Sequence, residues 1–348
     1  MTPHLSLRAS GGALLLALLL VAIAIFEMSY GQVRLTASEV WAALVRPAGT
    51  DPVLVQIVRQ IRLPRLLTGI VAGSALGIAG VLMQTLFRNP MADAWSLGLT
   101  AGGQLGVALI ATGSALAGPG AVAFLAAFDG LDLTAGAAIG VMLMATAMAS
   151  LARRVSAVTL LVVGLMIGFT AQGVVSVTIH FANRAGAKLF SGWNDGNFAS
   201  VTWPDLPFLA APVLAGIILA IACAKPLTSL LLGEVYATSL GTDVTRLRRL
   251  TLAATVLLVA PVTAYCGPVT FVGLIVPHLA RWITGTARIL PLLPLAALGG
   301  AVIATAADTV MHLPWEQHFL HLNAVLALVG APVVIGLLIF SPTMRGQR

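Results

Sequence analysis

The sequence predicts an all-α integral membrane protein of about ten transmembrane helices, with both termini in the cytoplasm. Composition is the first reason: 59% of the 348 residues are apolar and 9% charged, and the mean hydropathy is +0.99. A water-soluble globule carries about a quarter charged residues. The second is a succession of apolar runs near the roughly 20 residues needed to cross a bilayer core. The third is the placement of the basic residues, which fixes the orientation.

From the N-terminus, the run 11–26 follows Arg8 but has no small-x-small cleavage site before Glu27 and Met28, so it reads as a retained first helix. The external segment 27–60 contains Thr36-Ala-Ser-Glu39, the spacing of a capping box, with Val40, Trp41 and Leu44 on one face of the helix it opens. A short amphipathic helix at the membrane interface, anchored by Trp41, is expected there. The second span, 66–87, carries Gly69, Gly73 and Gly77, and the third, 97–116, carries Gly98, Gly102 and Gly106. Such stripes allow membrane helices to pack backbone against backbone.

Asp129 and Asp132 interrupt the run 121–151, which places the fourth crossing at 134–151 and the preceding piece as a re-entrant or periplasmic element. The fifth span is 158–181. Residues 182–205, with Trp193, Asn194, Asn197 and Trp203, form a second external segment suited to capping the mouth. After the sixth span, 206–224, the loop 225–249 is the longest cytoplasmic connection. Its mixture of apolar, small and basic residues suits a docking surface.

The seventh span is 250–266. The eighth, 269–284, is short and kinked, because Gly267, Pro268, Gly273 and Pro277 fall within fifteen residues. Broken helices at membrane depth are tolerated where they are buried in protein or line a cavity. Spans at 289–307 and 323–340 complete the set, and nothing resembling a polar linker divides residues 1–348, so one membrane domain is expected.

In this topology twelve of the nineteen Lys and Arg residues are cytoplasmic, and Arg34, Arg46, Arg59, Arg62, Arg65, Arg184 and Lys188 are external. The net charge of +7 therefore sets orientation and does not imply a nucleic-acid partner. Cys223 and Cys266 lie near opposite ends of successive spans, which excludes pairing, and neither fits metal-ligand spacing. No metal site is expected. Asp308 is the one acid placed near the interior of a span. It reads either as a proton site, the residue a proton-coupled secondary transporter would use, or as a helix-end cap or interhelical hydrogen bond.

Four motifs then carry a resemblance. Ile61–Arg65 with Gln84-x-x-x-Arg88-Asn89-Pro90-Met91-Ala92 and Leu97-Gly98 is the first, and Gly233-Glu234 with Ser239-Leu240-Gly241 the second. Gly267–Arg281, reading GPVTFVGLIVPHLAR, is the third, and Ala307-Asp308 followed by Gly330-Ala331-Pro332 the fourth. In this order and spacing they resemble the iron-siderophore, haem and vitamin B12 ABC-importer permease family of the FecCD type, over residues 56–339. The resemblance implies a type II ABC importer permease that carries an iron-siderophore, haem or corrinoid across the bacterial inner membrane by alternating access. It further implies a second permease copy or paralogue, two ATPase subunits, a periplasmic substrate-binding protein and surrounding lipid.

The resemblance also distributes roles. Arg62 and Arg65 become salt-bridge donors to the binding protein, and His312 stands where the family often has a further external arginine. A histidine is only partly charged near neutral pH, so Arg184 and Lys188 are alternative contributors. Arg62 and Arg65 read equally as interfacial arginines snorkelling to the headgroups. The usual pattern before the tenth span is replaced by Phe319-Leu320-His321-Leu322-Asn323. Gly233, Glu234, Ala237, Ser239, Leu240 and Gly241 become the ATPase coupling segment. Gly267, Pro268, Gly273 and Pro277 border the pathway, with Ser156 and Thr159 as candidates for an inner gate. Arg88, Asn89 and Pro90 form a cytoplasmic turn, and His278 and Arg281 orient the same face. No catalytic residue is expected: the chain lacks the GxxxxGK[S/T] loop, so ATP and Mg belong to the partner ATPase and this chain binds no cofactor. A secondary transporter using Asp308 and a non-transporting scaffold remain the rival readings.

Overall fold

The computed structural model describes residues 3–31, 33–112, 133–152, 154–313 and 320–340. Among these, thirteen helices follow one another, α1 to α13. Seven are long and apolar enough to cross a membrane. In the order of the chain, α1 is Pro3–Ser29, α2 is Ala37–Val45 and α3 is Pro52–Leu86. Next come α4, Leu99–Thr112, α5, Leu133–Leu151, and α6, Ala157–His180. The external helix α7, Arg184–Asn194, precedes α8, Leu206–Leu230, and the short α9, Glu234–Ser239. The last four are α10, Val244–Cys266, α11, Val272–Thr284, α12, Ile289–Met311, and α13, Leu322–Phe340. Each of the ten expected spans has a counterpart, three of them (α4, α11 and α13) shorter or less apolar than the seven. The re-entrant or periplasmic element expected from residue 121 up to the fourth span lies outside the described residues, except for Leu133, which opens α5.

Several boundaries differ from the expectation. The second span begins at Pro52, not near residue 66, and α3 is continuous for 35 residues. At 1.5 Å per residue that is about 52 Å, well beyond a hydrocarbon core of about 30 Å. Its turns over Ile57–Arg62 are π-helical. The arginines taken to mark the start of this span are therefore inside the helix. The loop expected at 225–249 is shortened from both sides, because α8 runs to Leu230 and α10 starts at Val244 with Asp243 as its N-cap.

The chain forms two compact units. One comprises Met1–Val81, Phe198–Ala210 and Thr270–Arg348, and the other Leu82–Asn197 and Ala211–Val269. In the first, α3 packs on α12 through small residues. A Cβ placed on Gly73 would lie 2.2 Å from the Gly300 carbonyl oxygen, and one on Gly300 would lie 2.0 Å from that of Gly73. In the second, α4 and α5 meet in the same way at Gly102 and Gly140, where an added Cβ would lie 2.5 and 2.0 Å from the opposite carbonyl. The glycine stripes thus serve close packing, as expected.

The capping box is present. The Thr36 backbone N–H donates to Glu39 Oε2 at 2.7 Å, and the Glu39 N–H donates to Thr36 Oγ1 at 3.3 Å. These bonds lower the Glu39 pKa, the backbone bond most. Val40 and Ala43 are buried and Leu44 packs against the same cluster, whereas Trp41 is 68% exposed. Cys223 and Cys266 are both buried thiols.

Candidate functional site

Three helices bring charged side chains together at the external end of the first unit. The Arg65 Nε of α3 donates to Asp308 Oδ2 of α12 at 2.6 Å, and its NH2 group donates to the Asp308 carbonyl oxygen at 3.2 Å. Glu27, near the end of α1, places Oε1 4.0 Å from the same Nε. Asp308 and Glu27 are 1% and 6% exposed. His312, which caps α12, has Nδ1 2.9 Å from the Asp308 carbonyl oxygen and 3.6 Å from its Oδ1. Burial lowers the His312 pKa, and the neighbouring Arg65 charge lowers it further, so the ring favours its neutral form. Glu27 was assigned to the external segment. Its burial within α1 leaves no local sequence signal, since its partners lie on other helices.

Arg62 is also directed inward. Its guanidinium donates to the carbonyl oxygens of Met28, at 2.5 Å, and Val33, and the residue is 8% exposed. Arg59 bonds in the same manner to Ala43 and Leu44. In this conformation Arg62 and Arg65 therefore do not present free guanidinium forks, and neither snorkels. Helix α3 starts early enough to bury both, and the backbone of 28–33 and Asp308 satisfy them. Asp308 is the interhelical partner, one of the two roles expected of it. Among the external cations, Arg34, Arg46, Arg184 and Lys188 are exposed.

Arg184 and Lys188 stand on α7, which is held firmly within the second unit. Gln172 donates to Gln104 Oε1 and Gln104 to Asn194 Oδ1, each at 2.6 Å, linking α6, α4 and α7 in a line of amides. The Trp193 indole donates to the Ala264 carbonyl at 3.3 Å. Gly267 ends α10 at φ +74, and a Cβ there would lie 2.1 Å from the Trp193 carbonyl oxygen. Gly267 is thus a contact point for α7. In the first unit, Gly273 lets Gly80 approach, a Cβ on Gly80 lying 1.9 Å from its carbonyl oxygen. Pro268 and Pro277 are buried, Pro277 within α11.

The segment around α9 is built differently. Gly233 and Gly241 bracket it at φ +112 and +81, conformations in which a Cβ is strained. Ala237 is fully buried, while Val235 is 88% and Leu240 60% exposed, and Ser239 is exposed beside them. Glu234 Oε1 accepts from Arg248 at 3.3 Å, and Arg248 also reaches the Val155 carbonyl at 2.9 Å. A groove of about 850 Å³ adjoins the segment, lined by Phe87, Arg88, Ser156, Val158, Glu234 and Tyr236 among others. Ser156 is the N-cap of α6: its Oγ accepts from the Thr159 N–H at 3.2 Å and lies 2.9 Å from Thr159 Oγ1. That pair, expected at an inner gate, closes a helix end.

At the end of α3, Arg88 adopts φ +49 and Asn89 Oδ1 accepts from the Met91 N–H at 2.9 Å, forming the expected turn with Pro90. His278 and Arg281 are half-buried on α11. Among the described residues no group of three or more His, Cys, Asp or Glu is placed to hold a metal ion.

The FecCD transport family matches residues 18–340. The chain belongs to this family. Among its relatives, the vitamin B12 import system permease BtuC of Vibrio cholerae is 32% identical over 341 residues, 97% of this chain and 96% of the relative. BtuC of Serratia proteamaculans is 34% identical over 339 residues, 95% and 94% of the two chains. A solved structure of a metal-chelate type ABC transporter, in an inward-facing conformation, superposes with a TM-score of 0.79 at 27% identity, covering 94% of this chain and 98% of that one. PsaBC from Streptococcus pneumoniae shares the fold, with a TM-score of 0.53 at 18% identity. As a FecCD-family chain, this is a multi-pass ABC importer permease of the bacterial inner membrane, which works with ATPase and binding-protein partners.

Proposed function

We propose that this FecCD permease moves a bulky metal chelate, an iron-siderophore, haem or corrinoid, from a periplasmic binding protein to the cytoplasm by alternating access. The observation that carries the reading is near-full-length similarity to vitamin B12 import permeases, which makes a corrinoid the first cargo to test. ATP is hydrolysed on partner subunits, two ATPases serving a pair of permease copies or paralogues. Residues 233–241 transmit that work: Ala237 and the two positive-φ glycines fix the backbone, and Val235 and Leu240 offer apolar side chains to a cleft on the ATPase. Docking of an acidic binding-protein surface falls to Arg184 and Lys188 on the anchored α7.

Proteoliposomes holding the permease with and without its ATPase and binding protein, loaded with labelled cobalamin, ferric siderophore or haem in turn, test the assignment. Uptake should require ATP and both partners. Gradient-driven uptake by this chain alone would overturn it. Replacing Arg184 and Lys188 together by Glu should weaken binding-protein affinity at least tenfold, and unchanged affinity would remove α7 from the docking surface.

A further inference from the structure

Among the described residues, two buried oxygens in the external cluster lack a hydrogen-bond partner: Glu27 Oε2 and Asp308 Oδ1. Both carboxyl groups are more than nine-tenths buried, and Glu27 interacts with Asp308 as well as with Arg65. Ionised carboxylates only accept hydrogen bonds, so two of them cannot satisfy one another. Among the described residues Arg65 is the one arginine or lysine within 4.0 Å of either carboxyl, and its Nε–H goes to Asp308 Oδ2.

Among the described residues no other side chain donates to these two oxygens. From α12, His312 uses Nδ1 as a donor to the Asp308 carbonyl oxygen, the only role that bond permits, and its ring favours the neutral form. From α3, Arg62 is committed to the carbonyl oxygens of Met28 and Val33. From α2, Glu39 is turned onto its own N-cap, Thr36. Helix α11 meets α1 far from Glu27, where Ile283 packs on Gly12. A buried carboxylate oxygen without a donor is costly. A single proton supplies that donor, because an O–H on one carboxyl donates to the other.

We propose that Glu27 and Asp308 form a proton-binding site, in which Glu27 is a carboxylic acid donating its O–H to the Asp308 carboxylate. The distances choose the bearer. Asp308 Oδ2 accepts from Arg65 Nε at 2.6 Å, whereas Glu27 Oε1 lies 4.0 Å from it, so Asp308 is the cation's partner and the proton falls to Glu27. The end of α1 is then joined to α12 by an acid–carboxylate bond and to α3 through the cation the two share.

Infrared spectra of the full chain in lipid nanodiscs at neutral pH test the site. A carboxylic-acid C=O band, shifted in D2O, should be present in the wild type and lost in Glu27→Gln. Its persistence in Glu27→Gln, or its absence from the wild type, overturns the proposal. Thermal unfolding gives a second reading. Gln mimics the neutral acid, so Glu27→Gln should melt within about 2 °C of the wild type while Asp308→Asn melts well below both. Equal losses in the two variants would mean that Glu27 is ionised, and would likewise overturn it.

Discussion

Around Arg65 the charged side chains are buried, whereas around Leu240 apolar side chains are exposed. Arg65 and Asp308 are held at 2.6 Å with little access to water, and Leu240 is 60% exposed beside Val235 at 88%. The first arrangement exchanges hydration for internal bonds and is sensitive to the loss of any one partner. The second leaves its surface unsatisfied within this chain, so its side chains contribute little to folding and remain available to another subunit. A substitution in the first region should therefore act through stability, and one in the second through assembly and coupling.

The largest effect is expected from Asp308→Ala, which leaves the Arg65 guanidinium buried without its carboxylate. Loss of one member of a buried pair costs about 3–5 kcal/mol, so a marked drop in the unfolding temperature in detergent should follow. An unchanged melting curve would mean that the Arg65 cluster is not structural. Arg62→Ala removes donors from two carbonyl oxygens and should cost about 1–3 kcal/mol, measured by the same unfolding assay.

Asp93 sharpens the comparison, because burial pushes its pKa up to about 6 from 3.8, with its hydrogen bonds to Ser96 and Trp95 acting in opposition. The folded state then holds more protons than the unfolded state between those values. Stability falls as pH rises through that window. Asp93→Asn should melt higher than the wild type at pH 7.5, and the difference should shrink towards pH 4. The smallest effect on stability belongs to Leu240→Asp, expected within about 0.5 kcal/mol of the wild type, while ATP-driven uptake with the partner ATPase falls at least tenfold. Normal uptake would place coupling elsewhere.

Much of the architecture was legible in local pattern. The capping box at Thr36 and the turn at Arg88–Pro90 depend on neighbours within a few residues, and the glycine stripes of α3 and α4 show as a four-residue spacing although the helices they pack on lie further along the chain; each formed as expected. The second span was read too short because Arg62 and Arg65 were taken as interfacial. Their side chains are satisfied by carbonyl groups of residues 28–33 and by Asp308, 243 positions from Arg65, so the helix can continue through them. Glu27 was missed for the same reason: a buried acid at a helix end looks like an external one until its cation is found on another helix. Ser156 and Thr159 also have a local role, since the Ser156 side chain caps the N-terminus of α6.

The contact between Gly73 and Gly300 also has a mechanical side. Where side chains separate two helices, rotamer changes let one slide or roll on the other. Here the carbonyl oxygen of each glycine occupies the space where the other would carry a Cβ, so neither helix can turn about its own axis without driving backbone into backbone. Helices α3 and α12 are meshed like gears with no play, and the Arg65–Asp308 bond pins the same pair. During transport these two helices should move as one lever.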